Sequence, residues 1–208
     1  LLKELNIDEK TIVFVCGDNG GQPYFNNEKH VHGFFGPNLN PRTNERFRGG
    51  KRNFYEGGLR IPFIVRWPGK IKPGTVSDHL GYFPDVMPTL AELAGVKPPN
   101  NTDGISFAPT LLGADKSDRE QKEHKFLYWE DPGSCAVRVK NWKAIKPSNK
   151  ENFELYNLAD DIEEKNNIAD QHPDIVKKIE EFARSAHQPQ VSGTVIDASA
   201  GFKGHKSD

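Results

Sequence analysis

The sequence predicts an α/β protein in two parts: the end of a doubly wound sheet, then a small antiparallel sheet with a packed C-terminal helix. Three observations predict it. A continuous apolar and β-branched run, Thr11-Ile12-Val13-Phe14-Val15-Cys16, is bounded by Gly17, the pattern of a strand buried on both faces as in a parallel sheet. Short strand candidates crowd residues 126–156, and a last segment opening at Pro173 carries apolar residues at helical spacing.

Taken in order, Leu1-Leu2-Lys3-Glu4-Leu5 reads as the back end of an amphipathic helix. With no initiator Met and no charged-then-apolar leader, the reading is that an N-terminal part precedes it, together with any export signal. Cys16, closing the first strand, reads as a buried small side chain. Residues 17–60 are rich in Gly, Asn, Arg and His without sustained periodicity; so long a loop inside a compact domain is usually functional or disordered. Residues 61–67 form a second strand, with Pro62 near its start, where a missing N–H is tolerated. Residues 83–94 carry Val86, Met87, Leu90, Leu93 and Ala94 at helical spacing, and Gly95 supplies the stop. Residues 97–125, polar and charge-rich, read as a linker. Strands over 126–130, 136–140, 142–146 and 153–156 then suit an antiparallel meander. In the last helix Ile175, Val176, Ile179, Phe182, Ala183 and Ala186 share one face. The division is thus 1–113 for the α/β core, 114–187 for the small sheet and helix, and 188–208 for a tail with little to bury.

Composition narrows the function classes. The formal net charge is −1, with 28 basic and 29 acidic residues, so no global field favours nucleic acid or an anionic membrane. Mean hydropathy is −0.70 and the apolar runs are short, so no segment spans a bilayer as a helix. The 19 Gly and 15 Pro fit a loop-rich α/β protein. Cys16 and Cys135 are too few and too far apart for a disulfide framework. Trp67, Trp129 and Trp142 lie in strand patterns and read as core.

Chemistry concentrates in two places. Gly17-Asp18-Asn19-Gly20 directly follows the first strand, where ligands bind in open α/β sheets. Asp18 and Asn19 offer hard oxygen donors suited to Ca²⁺ or Mg²⁺, though Asp-Asn-Gly is also common turn chemistry. The stretch from Arg48 to Arg60 holds Arg48, Lys51, Arg52 and Arg60 against the single carboxylate Glu56. Its two Gly-Gly pairs let backbone pack closely round a small ligand, and Lys51 supplies a compact charge for a tetrahedral anion. The competing reading is a solvated basic loop with Arg60 paired to Glu56. His30 and His32 sit two apart without a third ligand and read as surface histidines. His79, beside Asp78, reads as a hydrogen-bonded structural histidine or one supporting a site at one remove. Asp160-Asp161-Ile162-Glu163-Glu164 lacks the pattern of a calcium loop and reads as a turn with solvated acids.

Several segments together resemble the type I, formylglycine-dependent sulfatases of the alkaline-phosphatase-like superfamily. They are Thr11-Ile12-Val13-Phe14 leading to Asp18-Asn19-Gly20, then Gly49-Gly50-Lys51 leading to Tyr55-Glu56-Gly57-Gly58-Leu59-Arg60. Trp67-Pro68-Gly69, Ser77-Asp78-His79, Pro88-Thr89, Asp103-Gly104-Ile105-Ser106 and Glu154-Leu155-Tyr156-Asn157 follow, with Asp161, Glu164 and Asn167 closing the set. The resemblance implies the C-terminal part of a sulfuric ester hydrolase. It carries Asp18 and Asn19 onto the family's late pair of metal ligands, for Ca²⁺ or Mg²⁺. Lys51 falls on the lysine that contacts sulfate and ester oxygen, and Arg60 on a scaffold ion pair. The family's nucleophile is a formylglycine made from Cys or Ser in a C/S-x-P/A-x-R motif. Neither cysteine opens such a motif: Cys16 is followed by Gly-Asp-Asn-Gly and Cys135 by Ala-Val-Arg. The nucleophile and the remaining ligands are therefore expected upstream, and the 208 residues alone are expected to be inactive. The implied substrate is a sulfate ester, with carbohydrate sulfates common in the family, and the implied location is periplasmic, lysosomal or secreted. Two alternatives remain on the same scaffold: a phosphate or phosphonate ester hydrolase, and a non-catalytic binding module.

Overall fold

The computed structural model describes residues 1–21, 39–40, 43–98, 100–113 and 115–188. Its best-covered part is the antiparallel sheet of β3 (Leu127–Asp131), β4 (Ser134–Val139), β5 (Trp142–Lys146) and β6 (Glu154–Asn157), in the order β3-β4-β5-β6. This is the meander expected from the strand spacing. The turn at Lys140 takes a φ of 53°, so that Val139 pairs directly with Trp142.

Alternation along each strand sorts the side chains onto two faces. Val137, Ala144 and Leu155 face α4 (Pro173–Ala186), where Ile179, Phe182 and Ala183 complete a buried cluster. Phe126 stacks on Phe182 with ring centres 4.6 Å apart. Ala136, Ile145 and Tyr156 point the other way, towards Phe54, Tyr55 and Trp129. The second face is therefore covered by the loop that precedes residue 56, which ties the small sheet to the chemistry-bearing stretch.

The N-terminal part departs from expectation. β1 (Val13–Cys16) pairs antiparallel with β2 (Phe63–Arg66), Val13 opposite Arg66 and Cys16 opposite Phe63. The pair is half open to solvent, with Val15 57% and Ile64 62% exposed, and Cys16 is exposed rather than buried. The sequence encodes strands apolar on both faces, but among the described residues no further strand adds to this ribbon. Residues 1–5 form a single turn, closed by the Leu5 N–H to the Leu1 carbonyl at 3.0 Å, before a 3₁₀ turn at Asp8–Lys10. Arg66 anchors that turn by two 2.8 Å hydrogen bonds to Asp8.

A 3₁₀ turn at Phe83–Asp85 runs into α2 (Val86–Leu93). Gly95, at φ 69°, ends it as expected: the Val96 N–H reaches back to the Ala91 carbonyl at 2.9 Å. Residues 97–125 are not a simple linker, since they contain α3 (Ala108–Leu112). Buried Asp85 accepts the Ile105 N–H at 2.7 Å and meets His124 Nε2 at 2.8 Å. Thr89 accepts the Phe107 N–H at 2.9 Å, and a Cβ at Gly104 would lie 1.9 Å from the Pro84 carbonyl oxygen. This order comes from long-range hydrogen bonds, which a polar composition does not reveal. Trp67, Trp129 and Trp142 are each half-buried rather than fully buried; Trp142 and Trp129 pack against the two core clusters. Among the described residues no helix is long and apolar enough to cross a membrane.

Candidate functional site

The Asp18 turn leaves β1 with the Gly17 N–H still bonded to the Pro62 carbonyl at 3.3 Å. Asp18 Oδ1 accepts the Asn19 N–H at 3.0 Å, and Asn19 Nδ2 donates to the Gly20 carbonyl at 2.9 Å. Asp18 Oδ2 and Asn19 Oδ1 have no hydrogen-bond partner among the described residues. The turn thus uses half of each side chain internally and leaves two hard oxygen acceptors. Asp18 is exposed and Asn19 half-buried.

The Lys51 loop meets this turn through backbone. The Gly20 N–H donates to the Gly58 carbonyl at 2.9 Å, and the Lys51 N–H to the Gly21 carbonyl at 2.9 Å. A Cβ at Gly20 would fall 1.7 Å from the Gly57 oxygen. α1 (Glu56–Leu59) is buried backbone to backbone against residues 48–53, with the Gly57 N–H on the Arg48 carbonyl at 2.8 Å. A Cβ at Gly57 would lie 2.4 Å from the Arg48 oxygen, and one at Gly58 2.2 Å from the Asn53 oxygen. Close approach therefore requires Gly57 and Gly58, but of backbone to backbone rather than of backbone to a small ligand. The Lys51 side chain is half-buried and has no ion pair among the described residues.

Beneath the loop lies a buried ion cluster. Lys143 Nζ sits 2.8 Å from Glu56 Oε1 and 2.8 Å from Glu164 Oε1. The Glu56 N–H donates to Glu164 Oε2 at 2.6 Å. Arg60 Nε bonds Glu56 Oε2 at 3.1 Å, and Arg138 lies 3.9 Å from the same oxygen. Burial pushes the Glu56 carboxyl up, but Lys143, Arg138 and Arg60 together outweigh it and hold it down at about 2. For Glu164 burial wins over Lys143, and its carboxyl is raised. Arg48 ties the front of the loop to the same region, donating to Tyr156 OH at 2.7 Å and the Glu164 carbonyl at 3.0 Å. Its guanidinium lies 3.9 Å from the Tyr55 ring centre.

The segments that carry Asp18–Asn19 and Lys51 thus meet through backbone, and Arg60 joins Glu56 as the scaffold reading expected. His79 is half-buried beside Phe107, with ring centres 6.4 Å apart. Its backbone N–H donates to Ser77 Oγ at 3.1 Å; its buried ring Nε2 has no hydrogen-bond partner among the described residues, so it is not the hydrogen-bonded histidine expected, and burial lowers its pKa. None of these contacts reaches residues 17–21 or 48–53. His30 and His32 lie outside the described residues. The acidic run is half as expected: Asp161 caps a turn through the Lys165 and Asn166 N–H groups at 3.0 and 2.8 Å. Glu164, however, is fully buried rather than solvated. Lys143 escaped the sequence reading altogether, although its alternation with Ile145 puts it on a covered face.

Solved sulfatase structures of the alkaline-phosphatase-like fold are similar to this chain in fold. One, in complex with its substrate D-glucosamine-2-N,6-O-disulfate, matches 88% of this chain and 35% of its own, at 25% identity and a TM-score of 0.62. The N-acetylgalactosamine-6-O-sulfatase of Bacteroides thetaiotaomicron is 33% identical over 202 residues, covering 88% of this chain and 38% of that protein. The steryl-sulfatase of Mus musculus is 37% identical over 153 residues, covering 69% and 22%. The family model for the C-terminal region of N-sulphoglucosamine sulphohydrolase matches residues 47–188. The chain belongs to that family, and spans 38% of the length of the Bacteroides relative.

Proposed function

We propose that the complete protein is a sulfuric ester hydrolase to which this chain contributes Asp18, Asn19 and Lys51. The observation that carries the reading is the backbone clasp, Gly20 on Gly58 and Lys51 on Gly21, which joins the carboxylate-amide pair to the lysine. The sulfatase family model matches residues 47–188, which include the Lys51 and Gly58 side of the clasp.

Asp18 Oδ2 and Asn19 Oδ1, left over from the turn's own hydrogen bonds, fit a hard divalent cation, Ca²⁺ or Mg²⁺. Ca²⁺ takes about 6–8 oxygen ligands, so this chain offers part of a set. When bound, the cation supplies positive charge to neutralise sulfate oxygens. Lys51 binds a sulfate oxygen with its ammonium and stabilises the charge that develops on the leaving oxygen. Glycines 20, 49, 57 and 58 keep side chains out of the clasp, so the lysine and the oxygen donors hold fixed positions. The formylglycine that the family uses as nucleophile belongs to a part of the protein outside this chain. Carbohydrate sulfates are the proposed substrate class, as one solved neighbour holds a sulfated glucosamine. Export to a periplasm, a lysosome or the exterior is part of the same proposal.

The test is an assay of the complete protein on matched aryl sulfate and aryl phosphate esters with Ca²⁺ present. Sulfate turnover that collapses in Lys51→Ala, and that loses its Ca²⁺ dependence in Asp18→Ala, is expected. Preference for phosphate would move the protein to the phosphatase or phosphonate-hydrolase branch. Full turnover in Lys51→Ala would remove the lysine from the site.

A further inference from the structure

The Lys51 loop is anchored at both ends to the small C-terminal sheet. At its front, Arg48 bonds Tyr156 and the Glu164 carbonyl. At its back, Glu56 is gripped by Lys143 and, through its own N–H, by Glu164. Lys143 stands on β5 directly opposite Arg138 on one side and Tyr156 on the other. Two cations facing each other across strands repel; here Glu56 lies against both, at 2.8 and 3.9 Å. Stability alone does not require such a cluster, since apolar residues of similar volume often replace buried ion pairs without loss. What apolar packing does not supply is direction: one ammonium at 2.8 Å from two carboxylates fixes where the helix carrying Glu56 starts.

We propose that Lys143 is a positioning residue for the sulfate site. By holding Glu56 and Glu164 together it fixes α1, and with it the Gly57-Gly58 floor on which the Asp18 turn and the Lys51 loop meet. The inference rests on the function proposed above, and it assigns the C-terminal sheet a part in building the site rather than merely flanking it.

The experiment uses the complete protein with Lys143→Met, Lys143→Arg and, as a packing control, Val137→Ala. Val137 is buried on the opposite face of the same sheet, against α4. At a temperature where all variants are folded, Lys143→Met is expected to lower kcat on an aryl sulfate about 10- to 100-fold, the scale of an ångström-sized misplacement. Amide hydrogen exchange at Gly20 and Lys51 is expected to speed up in the same variant. Lys143→Arg should recover part of both, and Val137→Ala should change neither. Retained turnover and retained protection in Lys143→Met would overturn the proposal, as would equal losses in Val137→Ala. If the wild type turns over no sulfate, the functional reading fails, while the exchange arm still decides whether Lys143 holds the clasp. Should Lys143→Met fail to fold, Glu164→Gln carries the same comparison.

Discussion

The chain holds two sheets made of similar residues in different surroundings. In β4, β5 and β6, Ala136, Val137, Ala144 and Leu155 are fully buried; in the β1–β2 ribbon, Val15 is 57% and Ile64 62% exposed. What separates them is cover. The C-terminal sheet has α4 on one face and Phe54 and Tyr55 on the other, while among the described residues the ribbon has no comparable cover, though Phe107 packs edge-on against Phe63. Cover also changes the meaning of a charge: Lys143 and Glu164, with no exposed surface, become structural, whereas Asp18 at the ribbon's end stays exposed and available to a ligand. The ribbon carries the Asp18 turn, which bonds to α1 through Gly20 and Gly58, and α1 is tied to the covered sheet through Glu56 and Lys143.

The contrast is broken most severely at Lys143. Removing its ammonium leaves Glu56 and Glu164 buried without their shared cation, and Lys143→Met is expected to cost about 3–5 kcal/mol in urea unfolding. A loss below 1 kcal/mol would mean the cluster relaxes or hydrates.

Acid should act on the same cluster. The folded carboxyl of Glu56 is depressed from 4.5 to about 2, so its contribution is complete above the unfolded value and is lost as pH falls towards 2. The size is about 3 kcal/mol. Glu164, raised by burial, runs the opposite way: its contribution is full below the unfolded value and declines as pH rises through the folded one. Urea midpoints measured from pH 5 down to pH 2 should therefore fall in the wild type, and fall less steeply in Glu56→Gln.

Gly20→Ala tests the seam between the two regions. The new methyl meets the Gly57 oxygen at 1.7 Å, and overpacking of this kind costs about 1–3 kcal/mol. Titration calorimetry of the complete protein should also show weaker Ca²⁺ binding, because the turn bearing Asp18 must move away from α1. The smallest effect belongs to the ribbon: Ile64→Thr in the isolated chain should stay within about 0.5 kcal/mol. In the complete protein the same change should cost more if the strand is covered there, as its apolar sequence leads one to expect.

Much of this was legible in the residues. Strand alternation over 126–156, the apolar face of the last helix and the Gly95 stop are local signals, and the structure follows each. The link from Gly-Gly-Lys to Glu-Gly-Gly was legible as a demand for close backbone approach, and the contacts at Gly57 and Gly58 meet it. The resemblance added the roles of Asp18, Asn19 and Lys51, which spacing alone left open between ligand and turn. Other features were hidden because their causes are distant in the chain. Asp85 orders residues 105 and 124 from 20 and 39 positions away, so a segment that reads as a linker acquires a helix.

By itself the sequence determined which segments extend, which coil and where glycine is obligatory, because those choices depend on residues within a few positions of one another. Only the tertiary structure decided which strands are covered, that Cys16 is exposed, and that Lys143 and Glu164 enclose Glu56 across 87 and 108 positions. A lysine on an alternating strand carries no local mark of burial. Its environment is set by whatever packs on that face, here the loop that carries Lys51.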